Sequence, residues 1–212
     1  MTALDCYRAA PRRARIHVRT RWRSCPFEAV TAAVPVEGRI LDLGCGHGLF
    51  TLHLALGSAT RALVGVDIDG DKLEVAKAAA SSCAPDVEFR LGTAEEVPAG
   101  PWDAVTVLDV LYLLDAEEQR RIVTDAAHQL APGGVLVIKE MSRTPRWKFA
   151  WNRAQELLAV RVLRITAGHD MTFVPDDALP AWMLAAGLEV LTDQRVDKGY
   201  LHPHRLVVGR RP

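Results

Sequence analysis

No stretch of this chain is apolar for the roughly 20 residues that a membrane-spanning helix requires. Its arginine-rich beginning is not followed by the hydrophobic run of a secretory signal either, so a cytoplasmic protein is expected. Cysteine is sparse: Cys6, Cys25, Cys45 and Cys83 form no C-x-x-C pair, which disfavours both a zinc site and a disulfide framework and leads us to expect four reduced thiols. Lysine is scarce beside arginine, five against 21, a bias that fits the codon usage of a GC-rich bacterial genome. Net charge is absent as well, but the zero is an average over unlike segments. Residues 6–27 hold seven arginines and no acid, residues 28–140 hold 8 cations against 18 acids, and residues 143–164 hold six cations against Glu156 alone. The two basic segments are either solvated helix faces or surfaces that approach an anion.

The 212 residues suffice for one domain with one substantial core. A leader over residues 1–38 reads as two helices, with Ser24 capping the second and Pro26 in its first turn. From residue 39 to 140 strand-like and helix-like patterns alternate, which implies a parallel sheet. Strands are expected at 39–43, 62–67, 87–91, 102–109 and 135–138, and helices at 49–56, 70–82 and 116–130. The Ala131-Pro132-Gly133-Gly134 run is expected to end the last of these helices. An amphipathic helix is expected over 145–165. Residues 175–212 read as a helix followed by two strands whose short Lys198-Gly199 connection demands an antiparallel hairpin.

The chemistry concentrates at Asp42-Leu43-Gly44-Cys45-Gly46-His47-Gly48, which follows a strand and opens a helix. Such a loop presents backbone amides at the positive end of a helix dipole and keeps Cβ atoms out of a ligand's path, so it suits a nucleotide-like ligand. Asp67 follows at the end of the second strand, placed to accept hydrogen bonds from both hydroxyls of a ribose, with Ile68 next to it. A nicotinamide dehydrogenase shares these features, but its G-x-G-x-x-G spacing is not kept here, since Leu49 stands where the third glycine belongs. Asp42 would also repel a pyrophosphate, whereas it suits a cationic ammonium group. His47 reads as a loop residue without a catalytic part.

Over residues 40–138 the sequence resembles the class I S-adenosylmethionine-dependent methyltransferases, particularly the ubiquinone and menaquinone biosynthesis branch. The resemblance rests on Leu41–Gly48, on Asp67, on Leu91–Pro98, on Trp102–Val105 and on Pro132–Gly134. It implies a three-layer Rossmann-like α/β sandwich with a mostly parallel seven-stranded sheet and an antiparallel last strand. It also implies S-adenosylmethionine as cofactor and S-adenosylhomocysteine as product. Asp42, Gly44, Cys45, Gly46, Gly48, Asp67 and Ile68 would contact the cofactor; Thr93, Ala94 and Glu95 would lie beside adenine, with Thr93 or Glu95 meeting its amine. Asp109 would face the methionine portion, unless it only caps a helix. Arg19 or Arg23 is a candidate to hold the cofactor's carboxylate.

Methyl transfer from a sulfonium demands mainly alignment, and a base only where the acceptor must lose a proton. Candidates for that base are His202 and His204, then Tyr112, Glu140 and His169. The two histidines lack a third ligand at fixed spacing, so no metal is expected. Glu140, Trp147, Trp151 and His169 are candidate acceptor contacts. The 145–164 stretch reads as a lid, a helix resting on a membrane surface, or core packing. Nucleic acid is disfavoured as a partner because the body of the domain is acidic and carries no RNA-binding signature. The reading is O-methylation of a small hydrophobic or anionic acceptor, with C- or N-methylation of a lipid or quinone-like acceptor, a nicotinamide oxidoreductase and a non-catalytic cofactor-binding protein as alternatives.

Overall fold

The structure, a computed structural model, describes residues 1–84, 86–93, 96–142 and 172–212. The alternating strand and helix patterns become a seven-stranded sheet in the order β3-β2-β1-β4-β5-β7-β6. Its strands are β1 (Gly38–Leu43), β2 (Arg61–Asp67), β3 (Glu88–Leu91), β4 (Trp102–Leu108), β5 (Leu130–Met141), β6 (Glu189–Arg195) and β7 (His204–Arg210). Strands β1 to β5 pair in parallel, while β7 runs antiparallel to both β5 and β6, as the short hairpin connection requires.

Period-two alternation distributes side chains between two helical layers. Ile40 of β1 enters the cluster built with the leader, α3 (Leu49–Gly57) and α4 (Gly70–Cys83), among Leu52, Leu54, Leu73 and Ala76. Leu41 and Leu43 enter the opposite cluster, built with α5 (Ala116–His128) and α6 (Ala178–Ala185) around Trp102, Val123 and Met183. Burial of each such aliphatic side chain contributes about 1.5–3 kcal/mol. The chain runs outward from β1 through β2 to β3 and then crosses back to β4 on the other side of β1. This reversal opens a crevice at the carboxyl ends of β1 and β4, where ligands bind in open α/β sheets.

Helix boundaries follow their caps. Asp69 accepts from the amide of Lys72 at 3.1 Å, and Asp115 forms a capping box with Glu118. Helix α5 ends at His128, however, and the Ala131–Gly134 run lies inside β5. The amide of Trp102 already donates to Gln129 O at 2.9 Å, so pairing between β4 and β5 begins before the glycines are reached.

The leader differs from expectation in a second way. It comprises a 3₁₀ turn at Ala3–Tyr7, α1 (Arg12–Ser24) and α2 (Phe27–Thr31). Ser24 closes α1, and its hydroxyl donates back to Arg21 O at 3.5 Å, so it does not cap α2. Nor are all four cysteines thiols. Cys6 and Cys83 form a disulfide that fastens the 3₁₀ turn to the end of α4, leaving Cys25 and Cys45 free. Sequence spacing gave no sign of this pair because the two residues meet only after the leader has folded across α3 and α4. The inserted stretch 145–165, with its lid and membrane readings, lies outside the described residues. No helix among those described is long and apolar enough to cross a membrane.

The disulfide closes a loop with a sequence separation of 77 residues. In the chain-entropy picture, cross-links of this span contribute up to about 4.5 kcal/mol. Cys6→Ser is therefore expected to lower the urea midpoint of the oxidised protein, and dithiothreitol is expected to lower the wild-type midpoint to the same place. A wild-type midpoint indifferent to reductant would remove the cross-link from the account.

Candidate active site

The crevice is floored by the glycine loop. The amides of Gly44 and Cys45 both donate to Val66 O, at 2.8 and 3.0 Å, which pins the loop to the end of β2. Gly48 has φ +74°, and a Cβ there would stand 2.6 Å from the ring of Phe89, so only glycine lets α3 start where it does. Gly46 also has a left-handed φ, +55°, but it faces open space, since the atom nearest to a Cβ placed there is Lys72 Cδ at 4.0 Å. The loop thus offers bare backbone to a ligand at one point while its other end is packed. Cys45 is half-buried, and burial, together with Asp42 and Asp67, pushes its thiol far above the usual range.

Asp67 sits at the mouth, where Oδ2 accepts from the amide of Gly46 at 2.7 Å and Oδ1 from that of Asp69 at 2.9 Å. Two apolar side chains beside it lie unusually open, Ile68 at 75% exposure and Leu91 at 66%. Leu91 is Asp67's register partner on β3. An acid for a ribose with apolar surfaces on either side of it suits an adenosyl group. Leu91 opens the Leu91–Pro98 stretch of the sequence resemblance, but an apolar strand end carries no signal of its exposure. Thr93 is exposed, and its amide donates to Glu96 Oε2 at 3.1 Å. Ala94, Glu95, Trp147, Trp151 and His169 lie outside the described residues.

Asp42 takes a different place from the one its motif suggests. Its carboxylate is buried and accepts from Thr51 Oγ1 at 2.6 Å and from Thr106 Oγ1 at 2.7 Å. Burial pushes its pKa up to about 6, against the lowering effect of the two hydroxyls. Buried, with each oxygen held by a hydroxyl, it ties β1 to α3 and β4.

At the other end of the crevice Asp109 follows β4 in the left-handed region, with φ +56°. Lys139 Nζ lies 2.6 Å from each of its oxygens, and Arg21 of α1 forms a second ion pair with it. These cations hold the Asp109 carboxyl well below the usual range despite its burial. Asp109 is no helix cap. The amides of Val110 and Leu111 are instead met by Glu140 Oε1, at 2.9 Å each. Burial and the neighbouring Asp109 raise the Glu140 pKa, so its carboxyl is an orienting group with its acceptor atom already occupied. The arginines picked from the sequence, Arg19 and Arg23, are exposed on α1, and it is Arg21 between them that turns inward. The leader also touches the glycine loop through Tyr7 Oη, which donates to His47 O at 2.5 Å.

The proton-transfer candidates gather at the same end. His204 is buried, and its Nε2 lies 2.6 Å from Ser24 O, a carbonyl that can only accept, so this nitrogen carries the proton. Nδ1 of the same ring is buried without a hydrogen-bond partner. Burial, and next the charge of Lys139, lowers its pKa to about 3. The His202 ring is half-buried, 6.0 Å from that of His204, and is likewise shifted toward its neutral form, first by burial. Tyr112 stacks on Phe173 at 5.5 Å.

Comparison with known proteins agrees with this geometry. Residues 40–134 match a family described as a methyltransferase domain. A ubiquinone biosynthesis O-methyltransferase from Xanthomonas axonopodis pv. citri is 30% identical over 169 residues, which are 77% of this chain and 68% of that protein. Among solved structures, an O-methyltransferase family protein from Burkholderia thailandensis matches with a TM-score of 0.70 at 22% identity, over 92% of this chain and 57% of that one. The magnesium protoporphyrin IX methyltransferase of Synechocystis PCC 6803, solved with bound S-adenosylhomocysteine, matches with a TM-score of 0.70 at 18% identity, over 92% and 84% of the two chains. The matched family region spans the glycine loop, Asp67 and the β1–β4 crevice, and the chain belongs to the class I, Rossmann-like S-adenosylmethionine-dependent methyltransferases, with S-adenosylmethionine as its cofactor.

Proposed function

We infer that the enzyme methylates an oxygen atom of a small organic acceptor. The observation that carries this reading is the division of the crevice: an open glycine and an acid flanked by exposed apolar side chains at one end, and a buried polar cluster at the other. The relatives named for O-methylation support the choice of oxygen over carbon or nitrogen. The bound cofactor supplies an activated methyl group, so the residues of this chain have alignment as their main task. The open Cα face of the loop at Gly46 receives the cofactor, with Asp67 at its ribose and Ile68 and Leu91 beside its adenine. Asp42 acts behind the loop, keeping α3 and β4 at their distance from β1. At the acceptor end Glu140 fixes the turn after Asp109 through two amide bonds and so sets where Asp109 and Tyr112 stand. His204 holds Ser24 and thereby the end of α1, which makes it a positioning residue in this reading and not the base.

Two outcomes follow. Gly46→Ala meets no atom closer than 4.0 Å, so its cost to stability is expected to be limited to the strained φ, about 1–2 kcal/mol, while calorimetric affinity for S-adenosylhomocysteine falls at least tenfold. Gly48→Ala, which drives Cβ into Phe89, is expected to destabilise the fold itself. Equal cofactor affinity in wild type and Gly46→Ala would place the ligand elsewhere.

His204 also sets a pH dependence. Its folded pKa, about 3, lies below the ordinary value of 6.5, so the unfolded chain binds the proton first and stability falls as the pH drops from about 6.5 toward 3. In His204→Phe the dependence of unfolding free energy on pH is expected to flatten by one proton across that window. An unchanged slope from pH 7 to 4 would show that the ring is not buried in its neutral form.

A further inference from the structure

Among the described residues, the ion pairs at the Asp109 end of the crevice set two cations against one carboxylate. Lys139 is fully buried and spends its ammonium on both oxygens of Asp109. Arg21 pairs with the same carboxylate, so two cations share one anion, and among the described residues neither has a second acidic partner. Arg21 is the member that reaches the opening, with 28% of its side chain exposed against none for Lys139. Glu140 does not correct the imbalance. Its Oε1 is taken by two backbone amides, and burial beside Asp109 favours its neutral form. Neither histidine adds a negative charge. A buried charge without a counterion is costly, and the cost is relieved when a ligand of opposite sign completes the set.

The geometry points to Arg21, backed by Lys139 and Asp109, as a site for an anionic oxygen group on the methyl acceptor, so that the acceptor binds as a carboxylate or an ionised phenol. The inference rests on the methyltransferase reading and narrows its acceptor class. The cofactor's carboxylate is the rival occupant of Arg21, and saturation with S-adenosylhomocysteine separates the two. An ionised acceptor needs no base. The acceptor oxygen bonds to the methyl carbon as the carbon–sulfur bond breaks, the electron pair of that bond stays on sulfur, and no proton has to move. An oxygen that arrives charged therefore needs neither His202 nor His204 to deprotonate it.

Benzoate and its neutral isostere benzamide provide the test, titrated by calorimetry and thermal shift into the full chain, both free and saturated with S-adenosylhomocysteine. We expect benzoate to bind the saturated protein at least tenfold more tightly than benzamide. We also expect that preference to be lost in Lys139→Met, where Asp109 is released to neutralise Arg21. Should Lys139→Met fail to fold, the wild-type comparison decides alone. Equal binding of the two probes, or no binding of either, overturns the proposal. Benzoate binding that disappears once S-adenosylhomocysteine is present also overturns it, because the anion site would then belong to the cofactor's carboxylate. If S-adenosylhomocysteine itself does not bind while the benzoate preference persists, the methyltransferase reading fails and the anion site remains.

Discussion

The carboxylate of Asp109, shared by Lys139 on β5 and Arg21 on α1, is the contact on which the arrangement of the crevice depends. It joins three segments distant in sequence at the point where the sheet reverses direction, and it lies out of water. Removing one member of a buried ion pair generally costs about 3–5 kcal/mol, because the other charge is left uncompensated. The same residue carries a left-handed backbone, a conformation that costs a non-glycine residue about 1–3 kcal/mol and persists only where its surroundings impose it. Here they do so twice, through the ion pairs at its side chain and through the Glu140 bonds to the next two amides.

At the opposite end rigidity comes from packing and backbone bonds. The loop is held by Val66 O from below, by Phe89 against Gly48, and by Tyr7 Oη on His47 O from above. Only Gly46 is left facing open space. The leader therefore contributes to both ends at once, with Tyr7 on the loop and Arg21 on Asp109, and the Cys6–Cys83 disulfide fastens it between them. A segment whose composition suggested an arginine-rich surface turns out to be divided. Arg12, Arg13, Arg19 and Arg23 face outward, while Tyr7, Val18 and Arg21 complete the crevice and its supporting core.

The sheet, its antiparallel edge and the glycine loop were legible in the sequence because their signals are local: alternation over a strand, a cap residue, a glycine cluster between a strand and a helix. Where local signals misled, long-range pairing had prevailed. Pro132-Gly133-Gly134 has the composition of a helix stop, yet β4 claims the chain from Gln129 onward. Asp42 occupies the motif position of a ligand-facing acid, yet Thr51 and Thr106 fold over it. Ser24 has the type of a cap, yet it ends α1.

Sequence alone determined the family, the fold and the stretch that meets the cofactor, since a nucleotide-binding strand–loop–helix unit is specified by residues adjacent in the chain. Tertiary structure decided the rest of the site: which arginine turns inward, which lysine meets Asp109, which cysteines pair, and which nitrogen of His204 holds the proton. Each of those depends on distances between segments far apart in the chain and on how much water is excluded between them. Charges in particular acquire their meaning only there, because the dielectric around a carboxylate, and hence its protonation and its preference for a partner, is set by what the fold packs against it.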